Sequence, residues 1–188
     1  METKPRTDAL ALLLEYTKSD SLINHSLAVE GALIWYARYF NEDQVLWGNT
    51  GLLHDFDYEQ NPDCGEAGHP FVGCAILEEQ GYPRDMIEAI LGHATYSGVP
   101  RRTLLAKTLF ACDELAGLIG ACVLIRPDRS IHSLEVKSVR KKMRDSSFAR
   151  SINREDIVTG VEELGIKMSD HIENMIKGMR MIASRKDR

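Results

Sequence analysis

Six side chains able to bind a metal or move a proton recur through the chain: His25, the adjacent pair His54-Asp55, His69, His93 and Asp113. Taken singly they are unremarkable. A lone histidine on a helix is ordinarily a hydrogen-bonded core or surface residue, and one His-Asp dipeptide arises readily by chance. The combination of four imidazoles and two carboxylates on successive helices points to a metal site built from inward-facing side chains. Imidazole plus carboxylate, without thiolate, suits iron, manganese, cobalt or zinc better than a structural zinc site or a calcium cage.

The elements that must position these groups read as helices, because apolar residues recur at three- and four-residue steps almost throughout. Leu22, Ser26, Val29, Leu33, Tyr36 and Phe40 form one stripe, with Ser19 and Asp20 as caps, Asn41 in the exit turn and His25 on the same helix. A second helix runs from about Asp43 to His54 and Asp55, followed by a polar loop from Asp57 to Gly68. A third spans about His69 to Gln80 and stops at Gly81; a fourth opens at Pro83 and carries His93 to about Tyr96. The fifth, about Arg102 to Leu124, aligns Ala106, Phe110, Asp113, Gly117 and Gly120, so its small residues predict close approach by another helix. Asp113 is the odd member of that face, since a bare buried carboxylate must find a cation, a donor or a proton. A basic helix near Leu134 to Arg144 and two helices from about Arg154 and Asp170 complete an all-α chain, with Asn153 and Asp156 resembling a capping box.

The 188 residues, 44% of them apolar and 27% charged, have ordinary globular composition and can bury a core without disulfides or structural metal. One domain is expected, with a metal-binding core over about residues 20–125 and a helical extension over about 126–188. The net charge of −5 lowers the expectation of a stable nucleic-acid complex. Charge is uneven: residues 41–90 hold eleven acids against the single base Arg84, whereas residues 126–150 hold eight bases against three acids. Cys64, Cys74, Cys112 and Cys122 form no C-x-x-C pair and read as reduced, buried thiols. The opening Met1–Asp8 stretch carries acids and a proline and lacks the apolar core of a signal peptide, and the apolar run Leu115–Ile125 is too short for a membrane span. A cytoplasmic protein without a membrane partner is the expectation; oligomeric state is not legible.

The order His, His-Asp, His, His, Asp over about residues 20–125 resembles the HD superfamily of metal-dependent phosphohydrolases. The resemblance implies an HD-type helical bundle in which His25, His54, Asp55 and Asp113 hold one divalent ion. It also implies that His69 and His93 hold a second, with Asp55 bridging both. Iron or manganese is expected, with zinc, cobalt or magnesium as alternatives. Two such ions clamp the attacking and leaving oxygens of a displacement, and a water bound to one has its pKa lowered to about 7. The expected reaction is hydrolysis of a phosphate ester of a nucleotide or other small phosphorylated metabolite, with Asp55 as the central catalytic residue. The absence of a G-x-S-x-G elbow and of a Walker-type loop agrees with a reaction that needs no protein nucleophile.

The chain departs from many family members in lacking a lysine three positions after the paired aspartate, where Tyr58 stands. Phosphate contact would then fall to Lys107 or Arg126, with Arg101 and Arg102, around the Asp113 helix, or to Lys141, with Lys137 and Lys142, in the basic segment. Gly81-Tyr82-Pro83 also occurs in the branch that opens cyclic di-guanylate, but here it precedes His93 and reads as a helix stop and start. Asp57, Tyr58, Glu59 and Glu66 read as a solvated acidic loop rather than as proton shuttles or partners of the ligands. Relatives with the six-residue pattern include mixed-valent di-iron oxygenases, and Asp55, His69 and His93 make the two-histidine, one-carboxylate set that such chemistry uses. A silent HD-fold sensor is a third reading, disfavoured by the completeness of the ligand set.

Overall fold

The computed structural model describes residues 3–63 and 65–186; Cys64 lies outside the described residues. Among those described, nine α-helices and one short 3-10 turn account for the regular structure, and there is no sheet. The all-α expectation holds. Among the described residues no helix is long and apolar enough to cross a membrane.

The first helix, α1 (Arg6–Tyr16), follows Pro5 and has no counterpart in the sequence reading. Its run of Ala and Leu is apolar all round and therefore shows no stripe. Arg6 donates through Nε and Nη2 to the fully buried Glu30 of α2 (Asp20–Phe40), so α1 is pinned to the middle of the longest stripe. The backbone ends α2 at Asn41, which takes the left-handed conformation with φ 59°. Asp43 then caps α3 (Gln44–Leu53) by accepting from the Val45 and Leu46 amides at 2.8 and 3.2 Å. His54 and Asp55 lie in the turns immediately beyond it.

The third expected helix is shorter than its periodicity suggested. The helix is α4 (Phe71–Glu79), so His69 precedes it by two residues and sits in the loop; Gly81, at φ 76°, makes the turn after it. Next comes α5 (Arg84–His93), which ends on His93 itself, and residues Thr95–Ser97 form the 3-10 turn. Thr103 caps α6 (Leu104–Leu124) through the Ala106 amide. The remaining helices are α7 (Val136–Met143), α8 (Arg154–Leu164) and α9 (Met168–Lys186). Asn153 caps α8 by accepting from Glu155 and Asp156 amides.

Packing against α2 organises the molecule: α3 lies along one side of it, α9 along another, and α6 crosses it, while α8 backs α6. Leu33, Leu52, Leu53, Phe56, Leu109 and Leu115 are fully buried where these helices meet, each contributing roughly 1.5–3 kcal/mol by leaving water. The close helix approach expected at Gly117 and Gly120 occurs elsewhere. A Cβ at Gly117 would meet Ile152 of the loop before α8, and one at Gly120 would meet nothing within 4 Å. Tight crossings are α2 on α9, where a Cβ on Gly31 would stand 2.5 Å from the Gly178 carbonyl oxygen, α3 on α2, where one on Gly51 would stand 2.9 Å from the Val29 and Glu30 backbone, and α8 on α6, where Gly160 abuts Ala111. Cys74, Cys112 and Cys122 are buried free thiols, as expected.

Candidate metal centre

Five separate elements bring the six singled-out residues together. His25 comes from the second turn of α2, His54 and Asp55 from the exit of α3, His69 from the loop before α4, His93 from the last residue of α5, and Asp113 from the middle of α6. Two groups result, each with its ligand atoms within 4.8 Å of one another: His25, His54, Asp55 and Asp113, and then Asp55, His69 and His93. Asp55 belongs to both, and its two oxygens divide between them. Oδ2 lies 3.3 Å from His54 Nε2 and 3.9 Å from His25 Nε2; Oδ1 lies 3.2 Å from His69 Nε2 and 3.3 Å from His93 Nε2. Asp113 Oδ1 completes the first group at 2.9 Å from His25 Nε2 and 3.4 Å from His54 Nε2.

The histidines are oriented from behind. A carbonyl or carboxylate oxygen can only accept, so a ring nitrogen facing one carries a proton. His54 Nδ1 donates to the Gly51 carbonyl at 2.8 Å, His93 Nδ1 to the Ile90 carbonyl, and His69 Nδ1 to Asp57 Oδ1 at 2.8 Å. Three rings thus turn Nε2 into the cluster, toward the carboxylates and the space a cation would fill, the orientation metal-ligating imidazoles adopt.

Asp57 corrects the reading of the 57–66 stretch as wholly solvated. It is buried, with Oδ1 on His69 and Oδ2 accepting from the Gly73 amide at 2.8 Å, in the first turn of α4, where unpaired amides favour an anion. A Cβ at position 73 would stand 2.6 Å from that carboxylate, which is why a glycine opens an otherwise apolar helix. That glycine is the signal in the sequence that points to a close approach. Of the others, Glu59 accepts from the Lys18 and Ser19 amides, Tyr58 sets its ring edge-on to His69 at 5.5 Å, and Glu66 is exposed.

Electrostatically the cluster calls for positive charge. Burial opposes a proton on His54, yet Asp55 and Asp113 outweigh it and hold the imidazole well above its ordinary value. His69 is pushed up to about 9 against the same penalty by Asp55 and Asp57. Burial likewise works against ionising Asp55 and Asp113, and the facing imidazoles pull both far below the usual carboxylate range. Glu114, half-buried beside Asp113, is pushed up to about 7 by burial and by that charge, and accepts from the Asn153 amide. Protons on the imidazoles or cations between them can meet this demand, and the donor set fits divalent transition metals.

The cations named from the sequence are placed elsewhere. Lys107 is partly buried six residues before Asp113 on α6, its charge acting on Glu163. Arg126 lies beyond the end of α6, paired with Asp128 and donating to Ser133; eleven residues of helical rise already put Leu124, the last of α6, about 16 Å from Asp113. Lys141 is exposed on α7, where it lines an open pocket of about 460 Å³ with Lys137, Arg140, Arg144 and Asp145. Lys142 lies over the Phe148 ring, and Arg102 lines a groove with Tyr82 and Arg84. Arg101 is engaged by Glu163 and Gly92.

Comparison with known proteins adds one finding: the family model described as HD domain matches residues 22–118. No curated protein and no solved structure matches the chain. The matched stretch covers just over half of the 188 residues and contains all six clustered side chains, and the chain belongs to the HD domain family.

Proposed function

We propose that the chain is a metal-dependent phosphohydrolase acting on a nucleotide or other small phosphorylated metabolite, with two divalent ions, iron or manganese first among them. In this reading His25, His54, Asp55 and Asp113 hold one ion, and Asp55, His69 and His93 hold the other. The observation that carries it is the division of Asp55, one oxygen toward each group of imidazoles. Bound there, a pair of divalent ions would supply Lewis acidity and a bound water acidic enough to ionise to hydroxide, the nucleophile toward phosphorus, at neutral pH.

The chain's own residues supply the rest. His54 has no exposed side-chain surface, while those of His25, Asp55 and Asp113 are 20, 19 and 22% exposed, so substrate approaches over that edge. Behind it, Gly51, Ile90 and Asp57 fix the ring orientations, so little reorganisation accompanies binding. Tyr58 and Tyr96 both touch His69, Tyr58 edge-on to its ring at 5.5 Å and Tyr96 donating from its hydroxyl to its carbonyl at 2.6 Å, and both keep exposed surface.

The test is elemental analysis of protein purified without added metal, followed by a screen of phosphorylated metabolites for phosphate release with and without oxygen. Two ions per chain and oxygen-independent release are expected. Asp55→Ala should lose both ions and all turnover, and His69→Ala should keep the first ion. Retention of two ions in the Asp55 variant would contradict the shared ligand. Iron-dependent oxygen uptake without phosphate release would move the assignment to the oxygenase reading that the Asp55, His69 and His93 set also supports.

A further inference from the structure

We propose that Arg101 is a positioning residue for His93, tying the second ligand group to α8, a helix outside the matched HD segment. The inference rests on the reading of Asp55, His69 and His93 as ligands of the second ion.

His93 is the last residue of α5, and the final carbonyls of a helix have no partner within it. Three of them are satisfied by side chains. The Ile90 carbonyl accepts from His93 Nδ1 itself, the Leu91 carbonyl from Ser97 Oγ at 2.6 Å, and the Gly92 carbonyl from Arg101 Nη1 at 3.0 Å. Gly92 directly precedes His93, so the Arg101 bond fixes the peptide from which the ligand projects. A cation at a helix C-terminus also complements the helix dipole.

Arg101 is itself held on three sides. Its Nε and Nη2 donate to the two carboxylate oxygens of Glu163 at 2.8 and 2.6 Å, a two-pronged pairing that fixes the guanidinium plane. Its Cζ lies 3.7 Å above the Phe110 ring of α6. The side chain is 16% exposed, and a Cβ at Gly92 would meet its Cγ at 3.2 Å, so the fit leaves little space. One residue thereby joins the end of α5, the Asp113-bearing helix α6, and α8. Arg101, a candidate phosphate contact by sequence, is committed inside the fold instead.

The experiment compares wild type, Arg101→Met and Glu163→Gln by calorimetric titration of the metal-free full chain with Mn(II). Hydrogen exchange of the same metal-free proteins is followed in peptides covering residues 90–97. Arg101→Met should keep the first ion and bind the second about tenfold more weakly, within the range for lost support of a ligand. Exchange should rise by about tenfold in 90–97 and stay unchanged in α2 and α9. Glu163→Gln keeps size and one acceptor; it should show the same pattern at smaller amplitude, and it carries the test if Arg101→Met does not fold. Unchanged exchange in 90–97, or equal weakening of both ions with exchange raised throughout, overturns the positioning role. A wild-type chain that takes up fewer than two ions removes the two-ion reading alone, and the local exchange then still decides whether Arg101 holds the end of α5.

Discussion

Asp57 is a buried carboxylate with two donors, the His69 ring and the Gly73 amide. Asn can keep the Gly73 bond only by turning its NH2 toward His69 Nδ1, and that ring then carries its proton on Nε2, the nitrogen a metal would need. Exchanging a charged acceptor for a neutral amide in this buried site costs about 1–3 kcal/mol, and the wrong tautomer weakens the second ion by about 10- to 100-fold. Asp57→Asn should therefore lower the urea midpoint of the metal-free protein and selectively weaken the second Mn(II), while the first binds normally; equal affinity for both ions would show that His69 is held by other means. The six clustered residues were legible because their types and order are written along the chain. The burial of Asp57 was not, since it depends on Gly73 sixteen residues later, and an acid among acids carries no mark of being enclosed. Arg101 was legible as a cation but not as an engaged one, because Glu163 lies on a helix sixty residues beyond it.

The helices were legible where one face alone is apolar, as in α5, and where a cap residue starts them, as Asp43 does for α3 and Asn153 for α8. Periodicity failed where apolar residues surround the axis, which hid α1. It also could not choose between faces of α6, because the small residues Gly117 and Gly120 satisfy the same pattern whether a helix or open space lies opposite. Alanine substitutions separate the two cases. Gly31→Ala drives a methyl into the Gly178 carbonyl and Ile182 side chain, both under 3.0 Å away, and overpacking of that kind costs about 1–3 kcal/mol. Gly120→Ala meets no atom within 4 Å and should stabilise α6 by up to about 1 kcal/mol through lost unfolded-state freedom. Chemical denaturation should move the two midpoints in opposite directions, and a destabilising Gly120→Ala would mean that the open face of α6 is covered in solution.

At the scale of the whole molecule, the C-terminal helix is held to the rest by a histidine outside the ligand set. His171, fully buried on α9, donates from Nε2 to the Ala111 carbonyl of α6 at 2.8 Å and accepts at Nδ1 from the Tyr36 hydroxyl of α2 at 2.6 Å. Trp35 adds a second α2–α9 bond, to Asn174. The neutral ring satisfies both partners, and burial pushes its pKa down from 6.5 to about 4. Between those values the unfolded chain binds the proton and the folded chain does not, so the free energy of unfolding rises with pH across that window. The contribution of the neutral staple is complete above about pH 6.5 and is lost as pH falls through about 4, a span worth about 3 kcal/mol. His171→Asn removes the titrating group, so in metal-free protein the stability difference between wild type and variant should shrink by about that amount from pH 6.5 to pH 4. The carboxylates and the clustered histidines titrate in both proteins and cancel in the comparison. Urea unfolding at several pH values in the presence of chelator measures it; parallel curves across the window would mean that water reaches His171 and that α9 is fastened by apolar packing alone.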